Sequence, residues 1–178
     1  MPNKPARKSM KKFICATVLN LLGRSFSSLS LTDSPIKNET DKWADGIRIL
    51  VAACPSGPYL SLKKASGRVQ YTGGKYIENA DLFIEFKSIE SGVRALTGLM
   101  SIHDAFAQHR FTLKGDIFFG MSVVRCLYII EAALFPWFYA KRIIKRRPPK
   151  VSKWRAYTGL IGNGKIKQRG LKSVESVL

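Results

Sequence analysis

Basic side chains are concentrated after residue 136, where the first of them follow aromatic residues, and this combination is suited to bind a polyanion. Trp137 and Phe138 precede a run of five cations, which are Lys141, Arg142, Lys145, Arg146 and Arg147. Aromatic rings beside Lys and Arg are typical of a phospholipid headgroup boundary. The same residue types can neutralise nucleic-acid phosphates and stack on bases. We expect contact with an anionic membrane, and nucleic acid is an alternative that no recognised motif supports.

The charge of the whole chain is distributed unevenly. The 178 residues carry a formal net charge of +18. Residues 1–24 contain six Lys or Arg and no acid, residues 25–140 contain 12 against 11, and residues 141–178 contain 12 against one. Charge that served only solubility would not require this placement. The pattern predicts a nearly neutral folded region between two basic arms that meet an anionic partner.

Residues with catalytic or metal-binding potential do not form a recognisable set. His103 and His109 have no accompanying nucleophile or metal ligands. Gly159–Lys165 matches the first seven places of a phosphate-binding loop, but Ile166 lacks the required hydroxyl group. Three widely spaced cysteines are expected to be reduced and buried, namely Cys15, Cys54 and Cys126. We expect no catalytic residue, no metal site and no cofactor.

The elements that would position any site follow from hydrophobic periodicity. Helical spacing predicts two short helices, the first with Ser88 or Glu90 near its start and the second with Ser101 as N-cap, and a longer apolar helix follows over Ile117–Phe135. Arg125 and Glu131 argue against a membrane span there. Alternation predicts five strands, over residues 47–54, Tyr59–Lys63, Arg68–Thr72, Ala80–Lys87 and Phe111–Asp116.

The N-terminal segment has the pattern of an amphipathic helix. Its expected apolar face consists of Met10, Phe13, Ile14, Thr17, Val18, Leu21 and Leu22. The lysines before Phe13 also give it some likeness to a secretory signal, although Asn20 interrupts the apolar stretch. The helix either lies in a membrane interface or packs on the domain. Ser25–Lys42 is expected to be a polar linker that contains a short helix.

A series of motifs runs from Gly46 to about Phe135. It comprises Gly57–Leu62 leading into Gly67–Val69, Asn79–Phe86, Leu96–Gly98, Asp104–Phe106, and Phe111–Asp116 before the apolar helix. This order of hairpin, strand, two short helices, Gly-Asp strand and final helix resembles the sterol carrier protein type 2 family. That family includes accessory proteins of isoprenoid-quinone synthesis. The resemblance covers about half of the chain.

The resemblance implies an α+β fold with a five-stranded, mostly antiparallel sheet. Helices would cover one face and enclose an apolar tunnel for a sterol, a fatty-acyl chain or an isoprenoid. Tunnel-lining residues would come from the helices, and we expect Leu96, Met100, Phe106, Phe118, Met121, Val124, Leu127 and Tyr128. Ordinary core packing is the alternative for each of them.

These observations define three regions and a leading hypothesis. Residues 1–45 would form the basic amphipathic helix and linker, residues 46–140 the lipid-binding domain, and residues 141–178 the basic tail. The chain is expected to be a cytoplasmic, peripherally membrane-associated carrier without enzymatic activity, with an apolar lipid and an anionic membrane as partners. One alternative is a scaffold that recruits enzymes of lipid or quinone biosynthesis. The other is a nucleic-acid-binding protein that acts through its tails.

Overall fold

A five-stranded mixed sheet forms the centre of the protein, whose computed structural model describes residues 5–134. The strands are β1 (Arg48–Ala52), β2 (Tyr59–Ala65), β3 (Arg68–Gly73), β4 (Leu82–Phe86) and β5 (Phe111–Lys114), in the order β3-β2-β1-β4-β5. Only the β1–β4 pair is parallel. The predicted α+β class and mostly antiparallel sheet are therefore confirmed.

Five helices accompany the sheet within the described residues. They are α1 (Pro5–Thr32), α2 (Ser34–Thr40), α3 (Ile89–Leu96), α4 (Ile102–Ala107) and α5 (Ile117–Leu134). The side chains of Ser88 and Ser101 accept hydrogen bonds from the backbone amides of Ser91 and Asp104. The predicted N-cap Ser101 is therefore confirmed, and of the two residues expected near the start of α3, Ser88 is the cap. Strand register places Ile49 beside Leu62 and Leu82 on the face that packs against the helices.

Both faces of β1 are buried, although its sequence predicts one apolar and one mixed face. Leu50 and Ala52 point away from the helices and are inaccessible to solvent. Their neighbours in the sheet include Phe83 and Tyr59, and the ring of Tyr76 contacts both of these rings. The loop between β3 and β4 therefore supplies cover on the outer face that strand periodicity does not reveal.

Helix α1 buries a different face from the one predicted. Phe13 is 73% exposed, and Met10 and Leu21 are also exposed. The buried stripe consists of Cys15, Leu19, Leu22, Phe26 and Leu29. Two apolar stripes occur on this helix, and the predicted one omits Phe26 and Leu29 because the surrounding serines resemble a linker. The short helix predicted within Ser25–Lys42 is present as α2, but the rest of this segment is not a linker, since α1 continues to Thr32.

The N-terminal helix shares the core of the domain. It packs against β2, β3, α3 and α5, and the Ser27 hydroxyl accepts a 2.6 Å hydrogen bond from the Tyr71 amide. By length and mean hydropathy, Lys8–Thr32 is also apolar enough to cross a membrane. Of the two open alternatives for this helix, the structure shows packing on the domain. A boundary at residue 45 therefore does not separate it from the sheet.

A polar network joins α2 to the first half of α5. The indole Nε1 of Trp43 donates to Ser122 Oγ at 2.9 Å, and this hydroxyl donates to Glu39 Oε2 at 2.7 Å. Arg125 Nη2 lies 3.0 Å from the same carboxylate oxygen. The bond from Ser122, followed by that from Arg125, lowers the pKa of Glu39. The network fixes the rotation of α5 and therefore the face that α5 turns to the sheet.

Removal of the central hydroxyl should destabilise the protein. Trp43 is only 5% exposed, so Ser122→Ala leaves its indole N–H buried without an acceptor. We expect a loss of about 1–3 kcal/mol in the free energy of unfolding, measured by urea denaturation. Ser28→Ala on α1 is the matched control and should change stability by less than about 0.5 kcal/mol. Equal effects of the two substitutions would contradict this role of Ser122.

A candidate ligand cavity between sheet and helices

A narrow apolar cavity lies between the sheet, the end of α3 and the segment of α5 from Val124 to Glu131. The sheet contributes Val51, Ile84, Phe86 and Phe111, α3 contributes Ala95 and Leu96, and α5 contributes Val124, Leu127 and Glu131. The centre of a water-sized sphere can occupy about 20 Å³ of it, which is room for roughly one water molecule. Eight of the nine lining side chains are apolar, so the cavity is suited to hydrocarbon.

Strand pairing and one glycine position the walls of this cavity. The parallel register places Val51 beside Ile84, and the antiparallel register places Phe86 beside Phe111. A Cβ atom at Gly92 would lie 2.4 Å from the carbonyl oxygen of Ala53. Helix α3 can approach β1 this closely only because residue 92 has no side chain. Ala95 and Leu96 follow one turn later and face the cavity.

Glu131 is the polar member of the cavity wall. It lies four and seven residues after Leu127 and Val124, which places the three side chains on one face of α5. The residue has intermediate solvent accessibility, but burial of its carboxyl group raises the pKa to about 8. The neutral acid is therefore the main form at pH 7. Sequence reasoning treated Glu131 only as an obstacle to membrane insertion, although its spacing from Val124 and Leu127 indicated the shared face.

The predicted lining residues fall into three groups. Leu96, Val124 and Leu127 line the cavity. Met100 is buried elsewhere in the core, and Tyr128 has intermediate accessibility. Three more face solvent instead of the cavity, with exposed fractions of 63% for Phe106, 86% for Phe118 and 41% for Met121.

The outward orientation of Phe118 and Met121 follows from helix geometry. They lie seven and four residues before Arg125, which is itself exposed, so all three share the outer side of α5. The Phe106 ring contacts the Phe111 ring, with 5.9 Å between their centroids. Phe106 therefore packs on the solvent side of Phe111, and it is Phe111 that lines the cavity. Family order alone did not distinguish these outward positions from lining ones.

The predicted membrane-contact residues lie outside the described part of the chain. They are Trp137, Phe138, Lys141, Arg142, Lys145, Arg146 and Arg147, all beyond residue 134. The proposed boundary between residues 140 and 141 and the segment Gly159–Lys165 also lie there. The membrane-contact assignment therefore stays a prediction from sequence.

Residues with redox or metal-binding potential are dispersed in the described region. Between residues 5 and 134, no group of three or more His, Cys, Asp or Glu side chains is placed to hold a metal ion. All three cysteines are free thiols and buried, as predicted. Burial raises the pKa of Cys15 to about 11 and that of Cys126 to about 12, so these thiols are poor nucleophiles at neutral pH.

No family model matches the sequence, and no curated protein matches it. Among solved structures, the chain is similar to the UbiJ-SCP2 ubiquinone synthesis protein, with 16% identity, a TM-score of 0.44, and coverage of 67% of this chain and 97% of that one. It is also similar to the sterol carrier protein domain 2 of Helicoverpa armigera, with 16% identity, a TM-score of 0.44, and coverage of 76% and 98%.

Sterol Carrier Protein 2 Like 2 from Aedes aegypti is a third similar structure, with 13% identity, a TM-score of 0.33, and coverage of 55% of this chain and 94% of that one. Sterol carrier domains are thus among the solved structures to which the chain is similar, as its sequence resemblance predicts. Similarity of this degree assigns no ligand or activity to the chain. Any functional conclusion has to come from its own cavity.

The protonation of Glu131 should make stability depend on pH. In the unfolded chain its carboxyl group loses its proton near the ordinary pKa of 4.5, whereas the folded protein retains that proton up to about pH 8. The folded state therefore binds more protons between these values, and the free energy of unfolding falls as pH rises from about 4.5 to about 8. Glu131→Gln should remove this contribution, as measured by denaturation at a series of pH values.

The control is the same substitution at exposed Glu78, which should leave the contribution of Glu131 in place. The informative quantity is the stability difference between each variant and the wild type. As pH rises from about 4.5 to about 8, Glu131→Gln should become progressively more stable relative to the wild type. A difference that is constant with pH would show that the Glu131 carboxyl group is not desolvated.

Proposed function

We propose that this protein binds an apolar lipid between its sheet and helices α3 and α5 and presents it, unchanged, at an anionic membrane. The lipid would be of the sterol, fatty-acyl or isoprenoid type. The observation that carries the proposal is the cavity, since eight apolar side chains from three strands and two helices surround a space between the sheet and the helices. Apolar cavities between layers are typical sites for such ligands.

The cavity must enlarge to accept a lipid, because its present free space holds roughly one water molecule. Each buried methylene group contributes about 0.8 kcal/mol, so a chain of ten contributes about 8 kcal/mol. Val124, Leu127 and the facing sheet residues would stay covered by the ligand. The free energy gained by burial of the lipid chain can therefore offset a local displacement of the helices, and the apolar side chains of the wall stay buried.

Two constraints indicate which parts of the helices move. The first half of α5 is held by the contacts of Ser122 and Arg125 with Glu39. The first half of α3 lies against β1 through the close approach of Gly92 to Ala53. The cavity is lined by Ala95 and Leu96 at the end of α3 and, on α5, by Val124 within the anchored part and by Leu127 and Glu131 beyond it. Separation of the parts of α3 and α5 that lie beyond these anchors would widen the space while the anchored parts keep their register.

Cavity filling should block lipid uptake. Ala95 lines the cavity and is 1% exposed, whereas Ala105 on α4 is equally buried but is not part of the lining. Ala95→Leu should weaken binding of a fluorescent fatty-acyl probe at least about 10-fold. Both Ala→Leu substitutions overpack the core and should cost about 1–3 kcal/mol of stability. Ala105→Leu is therefore the matched control, and fluorescence titration measures binding.

Equal probe affinity of Ala95→Leu and Ala105→Leu, with both variants folded by circular dichroism, would contradict lipid binding at this cavity. A wild-type protein that takes up no fatty-acyl, sterol or isoprenoid probe would contradict the function itself.

Charge distribution supports the membrane part of the proposal. Five cations between Lys141 and Arg147 follow two aromatic residues, and each basic residue near an anionic surface contributes about 1 kcal/mol. Such a cluster can hold a domain reversibly without a lipid anchor. In the described domain, the exposed ring of Phe106 touches Phe111 of the cavity wall. An apolar side chain is therefore available to the membrane beside the cavity.

Charge reversal in the tail should separate membrane contact from lipid uptake. The triple variant Lys145→Glu, Arg146→Glu, Arg147→Glu should sediment at least about 10-fold less with phosphatidylserine-containing vesicles. Its affinity for the fatty-acyl probe should be unchanged, because the nine described residues that line the cavity stay as they are.

The control carries the same change in net charge on the domain surface, through Lys37→Glu, Arg68→Glu and Lys87→Glu at exposed positions. It should retain most of the sedimentation. Equal losses in the two triple variants would point to net charge instead of a tail-specific contact. Steeply salt-dependent binding to RNA without any binding to vesicles would favour the nucleic-acid alternative.

A further inference from the structure

Glu131 is the polar side chain in an otherwise apolar cavity wall. We infer that its carboxyl group donates a hydrogen bond to a carbonyl oxygen at the buried end of the ligand, which places the ligand among uncharged ketones, esters or quinones with an apolar tail. This inference rests on the proposed function and narrows it from apolar lipids in general to one chemical class.

Glu131 shares the cavity wall with apolar residues of four elements. Leu127 precedes it by one turn on α5, Phe86 and Phe111 face the cavity from the sheet, and Leu96 faces it from α3. Within residues 5–134, no side chain or backbone group forms a hydrogen bond or ion pair with its carboxyl group. A ligand that enters the cavity therefore meets a polar group whose hydrogen-bonding capacity is unused by that part of the chain.

The protonated state of Glu131 determines what it can recognise. Burial raises its pKa to about 8, so at neutral pH the carboxyl group has an O–H that can donate. Tyr128 on the same helix is a titratable neighbour whose own pKa is raised by burial and then by the charge of Glu131. The cavity-lining residues of the sheet and α3 do not ionise. Carbonyl oxygen is the complementary acceptor.

The same wall disfavours an anionic group at the buried end of the ligand. Among the described residues that line the cavity there is no lysine, arginine or histidine, so a carboxylate or phosphate inserted there would have no compensating charge from this part of the wall. Burial of an unpaired anion is far more costly than burial of a hydrogen-bonded carbonyl group. A carbonyl end can therefore lie beside Glu131, while any charged end has to stay nearer the solvent.

An acid at this position carries a cost that an apolar residue would avoid. Its raised pKa means that above pH 4.5 the folded state is less stable than it would be with a neutral isostere. Groups that reduce stability yet lie in a binding cavity are typical of functional sites. Solubility does not explain Glu131 either, because burial desolvates its carboxyl group.

The test uses two fluorescent probes with identical pyrene-labelled alkyl chains, one that ends in a methyl group and one that ends in a methyl ketone. The measured quantity is the ratio of their dissociation constants for the wild type, Glu131→Gln and Glu131→Leu. At pH 6.5, the wild type should prefer the ketone about 3- to 10-fold, the value of one hydrogen bond. Glu131→Gln should keep this preference through its amide N–H, and Glu131→Leu should lose it.

A pH arm distinguishes a protonated donor from general polarity. At pH 9.5 the wild-type preference should disappear, because an ionised carboxyl group cannot donate, whereas the Glu131→Gln preference should persist. Glu131→Met replaces Glu131→Leu if the latter does not fold. An equal ketone preference in the wild type and in the apolar variant would overturn the inference about Glu131. If the methyl-ended probe still binds in that case, the proposed lipid-binding function stays intact. Failure of every variant to bind the hydrocarbon probe would overturn both.

Discussion

Ile49, Leu62 and Leu82 lie side by side on neighbouring strands, and this apolar face of the sheet has to be covered by helices. Two regions of the chain share that task. Helix α1 covers β2 and β3, while α3 contacts β4 and α5 contacts β5. Because a helix is about 10 Å wide and strands are about 4.8 Å apart, one helix cannot cover five strands. The long N-terminal helix is consequently an integral part of this fold.

The cavity follows from the same requirement. Helices α3 and α5 belong to different connections, and each is fixed to the framework at its first half, through Gly92 and through Ser122 respectively. Ala95 and Leu96 of α3 and Val124, Leu127 and Glu131 of α5 line the cavity together with Val51 and Ile84. The packing between these residues is incomplete, since they leave a space for roughly one water molecule. The incompletely packed region is also the place where a ligand can enter with little disruption.

Local sequence signals predicted the strands and the short helices well. Alternation in Leu82–Phe86 matches its buried and partly exposed pattern, and Ser101 caps its helix as expected. The burial of Leu50 on the second face of β1 was not predictable, because it depends on Tyr76 from a distant loop. The buried face of α1 was missed for a related reason. Both apolar stripes satisfy helical spacing, and only contact with the sheet selects the one that contains Phe26.

The candidate site was less accessible to sequence than the fold. The order of strands and helices that is typical of the family assigns residues to helices but does not specify how each helix is rotated. Phe118 and Val124 were therefore equally good candidates for the cavity lining. In α5 that rotation is fixed by the bonds of Ser122 to Trp43 and Glu39, which are separated from it by 79 and 83 positions. Once this rotation is set, Val124, Leu127 and Glu131 face the sheet side of the cavity, and Phe118 faces outward. The polar network outside the cavity thus determines which residues of α5 line it. Glu131 is one of these residues, and the burial of its carboxyl group there raises its pKa.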